Sequence, residues 1–222
     1  MKDRYSITVG LIFLAVIVVA TLNSLGGDGG GGTLGLDRQP PRWPLPEFAV
    51  PAAAAPKLEG DANVSQDDCE SSAIPCPEEA RRPPACRIDA AEAIRVCDLF
   101  DRPLVISFWF TKGGSSCVDQ QDVVDAVDRR YRGQVNFLSL NVRDDRDAVR
   151  DLIRSRGWEM PVGYDRDGAV AGLYKIGGCP TFAYAYPGGT LESASGGELT
   201  FEELGARVER LLDASRAAER LR

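Results

Sequence analysis

Two apolar runs, PLVISFWF at 103–110 and VNFLSLNV at 135–142, constrain the fold of this chain more than any other feature. Each is continuous, β-branched and aromatic, the pattern of a strand covered on both faces. Between them the chain takes helical spacing after Cys117: Val123, Val124, Val127 and Tyr131 share one face, and Gly133 ends it. Strands joined by such a crossover run parallel. Further on, Ala148, Val149, Leu152 and Ile153 line a second helix that Gly157 closes, and a short helix covers 170–174. TFAYAY (181–186), PGG and TLESAS form a hairpin. Thr200-x-x-Glu203 is a capping box that opens a last helix with Leu204, Val208, Leu211 and Leu212 inward. The order β-α-β-α-β-β-α predicts an α/β domain over 98–214, a mixed sheet flanked by helices, with 215–222 as a tail.

The remainder of the chain reads differently. After MKDRY, Ile7 to Leu22 is almost unbroken apolar sequence; extended to Leu25 it reaches about the 20 residues needed to cross a bilayer. Lys2 and Arg4 hold its start in the cytoplasm. Residues 1–25 are therefore expected to be a signal-anchor helix that meets the lipid bilayer through 7–25. A signal peptide cut after Val18-Val19-Ala20 is the alternative, and either exports the rest of the chain. Residues 26–43, rich in glycine and then proline, are expected to be a flexible linker. Segment 44–97 opens with PLPEFAVP and then places Cys69, Cys76, Cys86 and Cys97 among prolines and charges. It reads as a loop-rich insert held by disulfides, with Cys69–Cys76 and Cys86–Cys97 the simplest of 15 connectivities for six cysteines. A zinc cluster is the rival, but the Cys-x-x-Cys spacing of zinc ribbons is absent; no metal and no cofactor is assigned.

Composition narrows the chemistry. The formal charge is −7, which gives no footprint for nucleic acid. The chain has no histidine, which excludes Ser-His-Asp and Cys-His nucleophiles and histidine-ligated metals. An exported chain with an even number of cysteines points to disulfide chemistry.

With this element order, the residues resemble the extracytoplasmic thioredoxin-fold proteins of the TlpA/ResA type, within the redoxin superfamily. LPEFAVP is similar to their opening Pro-Asp-Phe segment, and DLFDRPLVISFWF to their first core strand. The stretch LNVRDDRDAVRDLIRSRGWEMPVGYDRDGAVAGLYKIGGCPTF follows their pattern nearly throughout: Met-Pro-Val, Asp-x-x-Gly, Tyr-x-Ile-x-Gly, then a proline before Thr-Phe. The resemblance covers 98 to about 212 and implies a thioredoxin-like fold with Pro180 cis beside the active-site turn.

The chemistry is where the chain departs from that pattern. Where the family carries Trp-Cys-x-x-Cys, this chain has Gly114-Ser115-Ser116-Cys117, so the first cysteine is missing. A gapless register matches the Cys-x-x-x-Cys turn of the Sco copper chaperones, which also need a histidine that is absent here. In such folds the residue before the cis proline packs against the turn. That residue is Cys179, so the resemblance implies a relocated catalytic pair, Cys117 with Cys179, beside Pro180. The plainer reading makes Cys117 a leftover buried thiol and Cys179 a small hydrophobe. Two functions are compatible with these residues: a membrane-tethered thiol-disulfide oxidoreductase acting on protein thiols and disulfides, or a redox-inactive binding or assembly module with structural disulfides. Asp119 and Asp122 are expected to oppose a thiolate at Cys117, Asp144 and Asp145 to act as caps, and Phe108, Trp109 and Phe110 to be core.

Overall fold

The computed structural model describes residues 35–55, 64–65, 85–89 and 92–220. The expected anchor at 1–25 and the cysteines Cys69 and Cys76 lie outside them. Among the described residues no helix is long and apolar enough to cross a membrane.

Three short strands, β1 (Phe48–Pro51), β2 (Val64–Ser65) and β3 (Ala93–Arg95), form an antiparallel sheet with β1 in the middle. The larger sheet holds β4 (Leu104–Trp109), β5 (Asn136–Val142), β6 (Val162–Asp165), β7 (Thr181–Tyr186) and β8 (Thr190–Gly196), in the order β6-β5-β4-β7-β8. β4, β5 and β6 are mutually parallel, and the β7–β8 hairpin is antiparallel to β4. Helices α1 (Ser115–Tyr131), α2 (Arg146–Arg156), α3 (Ala169–Leu173) and α4 (Phe201–Glu219) complete the α/β arrangement.

Every residue of β4 is buried, and the strand's alternation feeds two cores. Val105 and Trp109 pack with Val124 of α1, Val149 of α2, and Leu204 and Val208 of α4. Leu104, Ile106 and Phe108 point the other way, to Phe48, Val50, Val170 and Tyr174. Burying each of these large side chains is worth roughly 1.5–3 kcal/mol, so β4 alone anchors both layers. The helix ends follow the sequence signals. Gly157 closes α2 in the left-handed conformation, and Thr200 with Glu203 forms the reciprocal capping box of α4.

Four features differ from the sequence reading. VGYD (162–165) is a strand, paired from Ser139↔Val162 to Val142↔Asp165. Four residues with a glycine among them show too little alternation to announce a strand, and neighbour β5 supplies the order. Residues 35–43 are not loose linker: Leu36 is fully buried, and Trp43 meets Tyr174 edge-on at 6.4 Å. The 215–222 tail instead continues α4 to Glu219, with Ser215 buried. Phe110 is only partly buried, while Phe108 and Trp109 are core. The Cys86–Cys97 disulfide is present and ties two short helical turns together.

Gly163 is where the opening segment closes on the sheet. A Cβ there would lie 2.8 Å from Val50 Cγ2 and 2.9 Å from Leu140 Cδ1, and the Ala53 N–H donates to the Val162 carbonyl at 2.8 Å. Gly163→Ala is expected to destabilise the domain by about 1–3 kcal/mol through overpacking, measured by denaturant unfolding. An unchanged midpoint would show that β1 does not bear on β6.

Candidate functional site

Strand β4 ends at Trp109 and the chain turns through Thr111–Gly113 into α1. Gly114 makes the junction at φ 98°, a conformation that side-chain-bearing residues rarely adopt, and Cys117 falls in the first turn of the helix. Antiparallel β7 arrives beside the same end of β4. Its first residue, Thr181, pairs with Phe108, so Pro180 and Cys179 lie just past the strand tip. The Cys179–Pro180 peptide is cis. The two elements deliver Cys117 and Cys179 to one place, with Cα atoms 5.6 Å apart, and their sulfurs are joined in a disulfide across 62 residues of sequence. The Cα separation lies inside the range that disulfides accept.

The two sulfurs sit in different surroundings. Cys117 has no exposed surface, whereas Cys179 is partly exposed, with its Sγ 3.8 Å from the Phe110 carbonyl oxygen. At the start of a 17-residue helix, Cys117 lies where the helix dipole favours a thiolate. Asp119 and Asp122 are turned away to Arg156, which is 2.9 Å from Asp119 and also pairs with Asp122. Asp122 accepts a further hydrogen bond from Trp158 Nε1 at 2.7 Å. Their opposition to a Cys117 thiolate is thereby offset in part by a cation of α2.

Beneath the disulfide runs a buried polar chain that sequence reasoning did not identify. Trp109 Nε1 donates to Ser139 Oγ at 2.7 Å, and Ser139 Oγ donates to Gln121 Oε1 at 2.9 Å. Gln121 Nε2 in turn donates to Ser107 Oγ at 3.1 Å and to the Cys117 carbonyl at 3.4 Å. A signal was present: Ser107 and Ser139 are isolated hydroxyls inside apolar strands, and they are paired in register. A satisfied network of this kind fixes α1 against the sheet.

Asp145 caps α2 as expected, accepting from the Ala148 N–H. Its neighbour Asp144 does something else. Buried at 7% exposure, it accepts from the Thr111 N–H (2.6 Å), Thr111 Oγ1 (2.8 Å) and Asn141 Nδ2 (2.7 Å), while its carbonyl accepts from the Tyr164 hydroxyl at 2.8 Å. Asp144 therefore clasps the turn before Cys117 to the ends of β5 and β6. Glu47, Cys86 and Cys97 lie close enough to suggest a metal site, but both cysteine sulfurs are used in their disulfide.

A five-stranded mixed sheet, a cysteine opening the first crossover helix and a cis proline facing it define a thioredoxin-fold protein. In sequence the chain is similar to the TlpA/ResA type of thioredoxin-fold protein. It is 26% identical over 112 residues to the thiol-disulfide oxidoreductase ResA of Oceanobacillus iheyensis, a match spanning 50% of this chain and 58% of that relative. Among solved structures it resembles a thiol:disulfide interchange protein of the thioredoxin family from Chlorobium tepidum TLS, with TM-score 0.54, 13% identity and coverage of 78% and 99% of the two chains. It also resembles an uncharacterized conserved protein from Geobacillus kaustophilus, with TM-score 0.54, 17% identity and coverage of 79% and 83%. No family model matches the chain.

Close to the site, Asp165 is fully buried at the end of β6, and burial pushes its carboxyl up to about 6, against the lowering effect of hydrogen bonds from the Ala171 and Val170 N–H groups. The folded state thus holds this proton more tightly than the unfolded chain. Asp165 contributes stability that is full below about pH 4 and lost as the pH rises through 6, an effect of at most roughly 3 kcal/mol. Unfolding free energies at pH 4.5 and 7.5 should show this loss in the unaltered protein and a smaller one in Asp165→Asn. Equal pH dependence in both would contradict the assignment.

Proposed function

We propose that this protein is a thiol-disulfide oxidoreductase held at the outer face of a membrane, exchanging electrons with protein thiols through Cys117 and Cys179. The observation that carries the reading is the placement of the pair. The two cysteines stand on separate elements, one at a helix start and one before the cis proline, joined in a bond that reaches the surface at Cys179. The name of the ResA relative supports the same chemistry. A partner thiolate attacks one sulfur of the disulfide, the other sulfur leaves as a thiolate, and a mixed disulfide forms. A second partner thiol then displaces the domain's sulfur, leaving the partner oxidised and Cys117 and Cys179 reduced by two electrons.

The apolar segment 7–25, preceded by Lys2 and Arg4, supports a single anchor with the domain on the far side of the bilayer. Glycine-rich sequence from 26 onward would give the domain reach from that surface. The domain organisation that goes with this reading takes 98 to the end of α4 at Glu219 as the catalytic unit, with the opening segment as its cover.

Two results test this reading. Cys117→Ser and Cys179→Ser, each in the full-length chain, are expected to abolish oxidation of a reduced dithiol peptide, a loss of at least about 100-fold, while both variants stay folded. Turnover persisting in either variant would sink the relocated pair. The full-length protein should also remain with membranes through an alkaline wash, and its release would remove the anchor.

A further inference from the structure

The partly exposed sulfur, Cys179, touches the Phe110 carbonyl, and Phe110 also lines an open cleft of about 380 Å³ with Lys112, Val142, Arg143 and Asp144. An incoming thiol that reaches Cys179 from this side must cross that cleft. Its two cations are exposed, and among the described residues neither Lys112 nor Arg143 has a carboxylate within salt-bridge distance. The one acid lining it, Asp144, has its oxygens taken by Thr111 and Asn141. Arg143 is held in place: its backbone stands at φ 58°, its N–H donates to the Asp165 carbonyl, and its side chain lies across Gly168. A residue with a side chain seldom occupies that backbone region, and such positions concentrate at functional sites.

A second cleft, lined by Ser116 next to Cys117 in the chain, is acidic through Asp119, Glu198 and Glu203. There Asp119 is already paired with Arg156, and Glu203 closes the capping box. In a chain of formal charge −7, two cations without a carboxylate partner among the described residues, in a cleft that shares Phe110 with the accessible sulfur, make a local reversal of sign. Fixed charges of this kind select partners and raise their association rates.

We propose that this cleft seats the segment flanking the partner's cysteine, that the segment is acidic, and that Cys179 is the sulfur it attacks. The proposal rests on the oxidoreductase reading. The partner thiolate forms its bond to Cys179 Sγ, the Cys117–Cys179 bond breaks, and the electron pair leaves with Cys117, which becomes a thiolate in the first turn of α1. The second partner thiol then attacks the partner's own sulfur, releasing reduced Cys179. The cations draw the acidic segment in and favour the approaching thiolate.

The test uses the oxidised full-length protein and three reduced pentapeptides with a central cysteine flanked by aspartates, serines or lysines. The rate of opening the Cys117–Cys179 bond is divided by each peptide's rate with a small neutral disulfide, to remove differences in thiol acidity. At low ionic strength the acidic peptide should exceed the basic one by about tenfold, a ratio that falls towards one at about 0.5 M salt. The double variant Lys112→Glu/Arg143→Glu should invert the ratio, whereas Arg154→Glu, a charge change of the same kind on the exposed face of α2, should not. A ratio near one in the unaltered protein, or the same ratio in the double variant, would overturn the acidic-segment inference. If neither the peptides nor dithiothreitol opens the bond at all, the oxidoreductase reading falls, and this inference falls with it.

Discussion

The pairing of β4 with β5 on one side and β7 on the other positions everything else. Because β5 is parallel to it, the chain must leave β4 through a turn and a crossover helix, which places Cys117 just beyond the strand tip. Because β7 is antiparallel to it, a second segment must enter at that same tip, with Thr181 opposite Phe108 and Cys179 two residues earlier. One strand with opposite neighbours on its two edges thus brings together cysteines separated by 62 residues. The burial of all six residues of β4 keeps that convergence from drifting.

The convergence is then locked by interactions of different range. Closing so long a loop stabilises the oxidised fold by up to about 4 kcal/mol on the chain-entropy description. Locally, the Trp109–Ser139–Gln121–Ser107 chain holds the start of α1 from below, and Asp144 holds the Thr111 turn from the side. The first set is buried and the second partly so, and in such places a satisfied hydrogen bond gains and an orphaned one costs more than at the surface. Arg156 then pairs with the two carboxylates nearest Cys117 in the helix, Asp119 and Asp122, and offsets part of their charge. The site is rigid on the Cys117 side and open on the Cys179 side.

Much of this was legible in the chain. Continuous apolar runs announced β4 and β5, a helical period announced α1 and α2, and Thr200 with Glu203 announced the start of α4. Each of those signals is local. Contacts set by distant partners were less visible. VGYD has no alternation of its own and is ordered by β5. Leu36 looks like part of a linker because its neighbours are glycines, yet it belongs to the same buried core as Leu104 and Leu191. Asp144 and Asp145 look alike in sequence, and only the fold separates the helix cap from the clasp on Thr111. For the site, Cys179 was reachable through the residues around Pro180, since the resemblance fixed where the proline stands. Gln121 was not, because a glutamine within a helix gives no sign that its amide lies under a disulfide.

A catalytic disulfide and a structural staple would look alike in this fold; they differ in how readily they exchange electrons. The decisive measurement is a redox titration of the full-length protein in which the thiols of Cys117 and Cys179 are quantified separately from those of the other four cysteines. Cys117 and Cys179 are expected to titrate together as a reversible two-electron couple above about −300 mV, in the range of exchanging pairs. A couple well below that value, or a bond that opens only on unfolding, would contradict this and identify the disulfide as a staple.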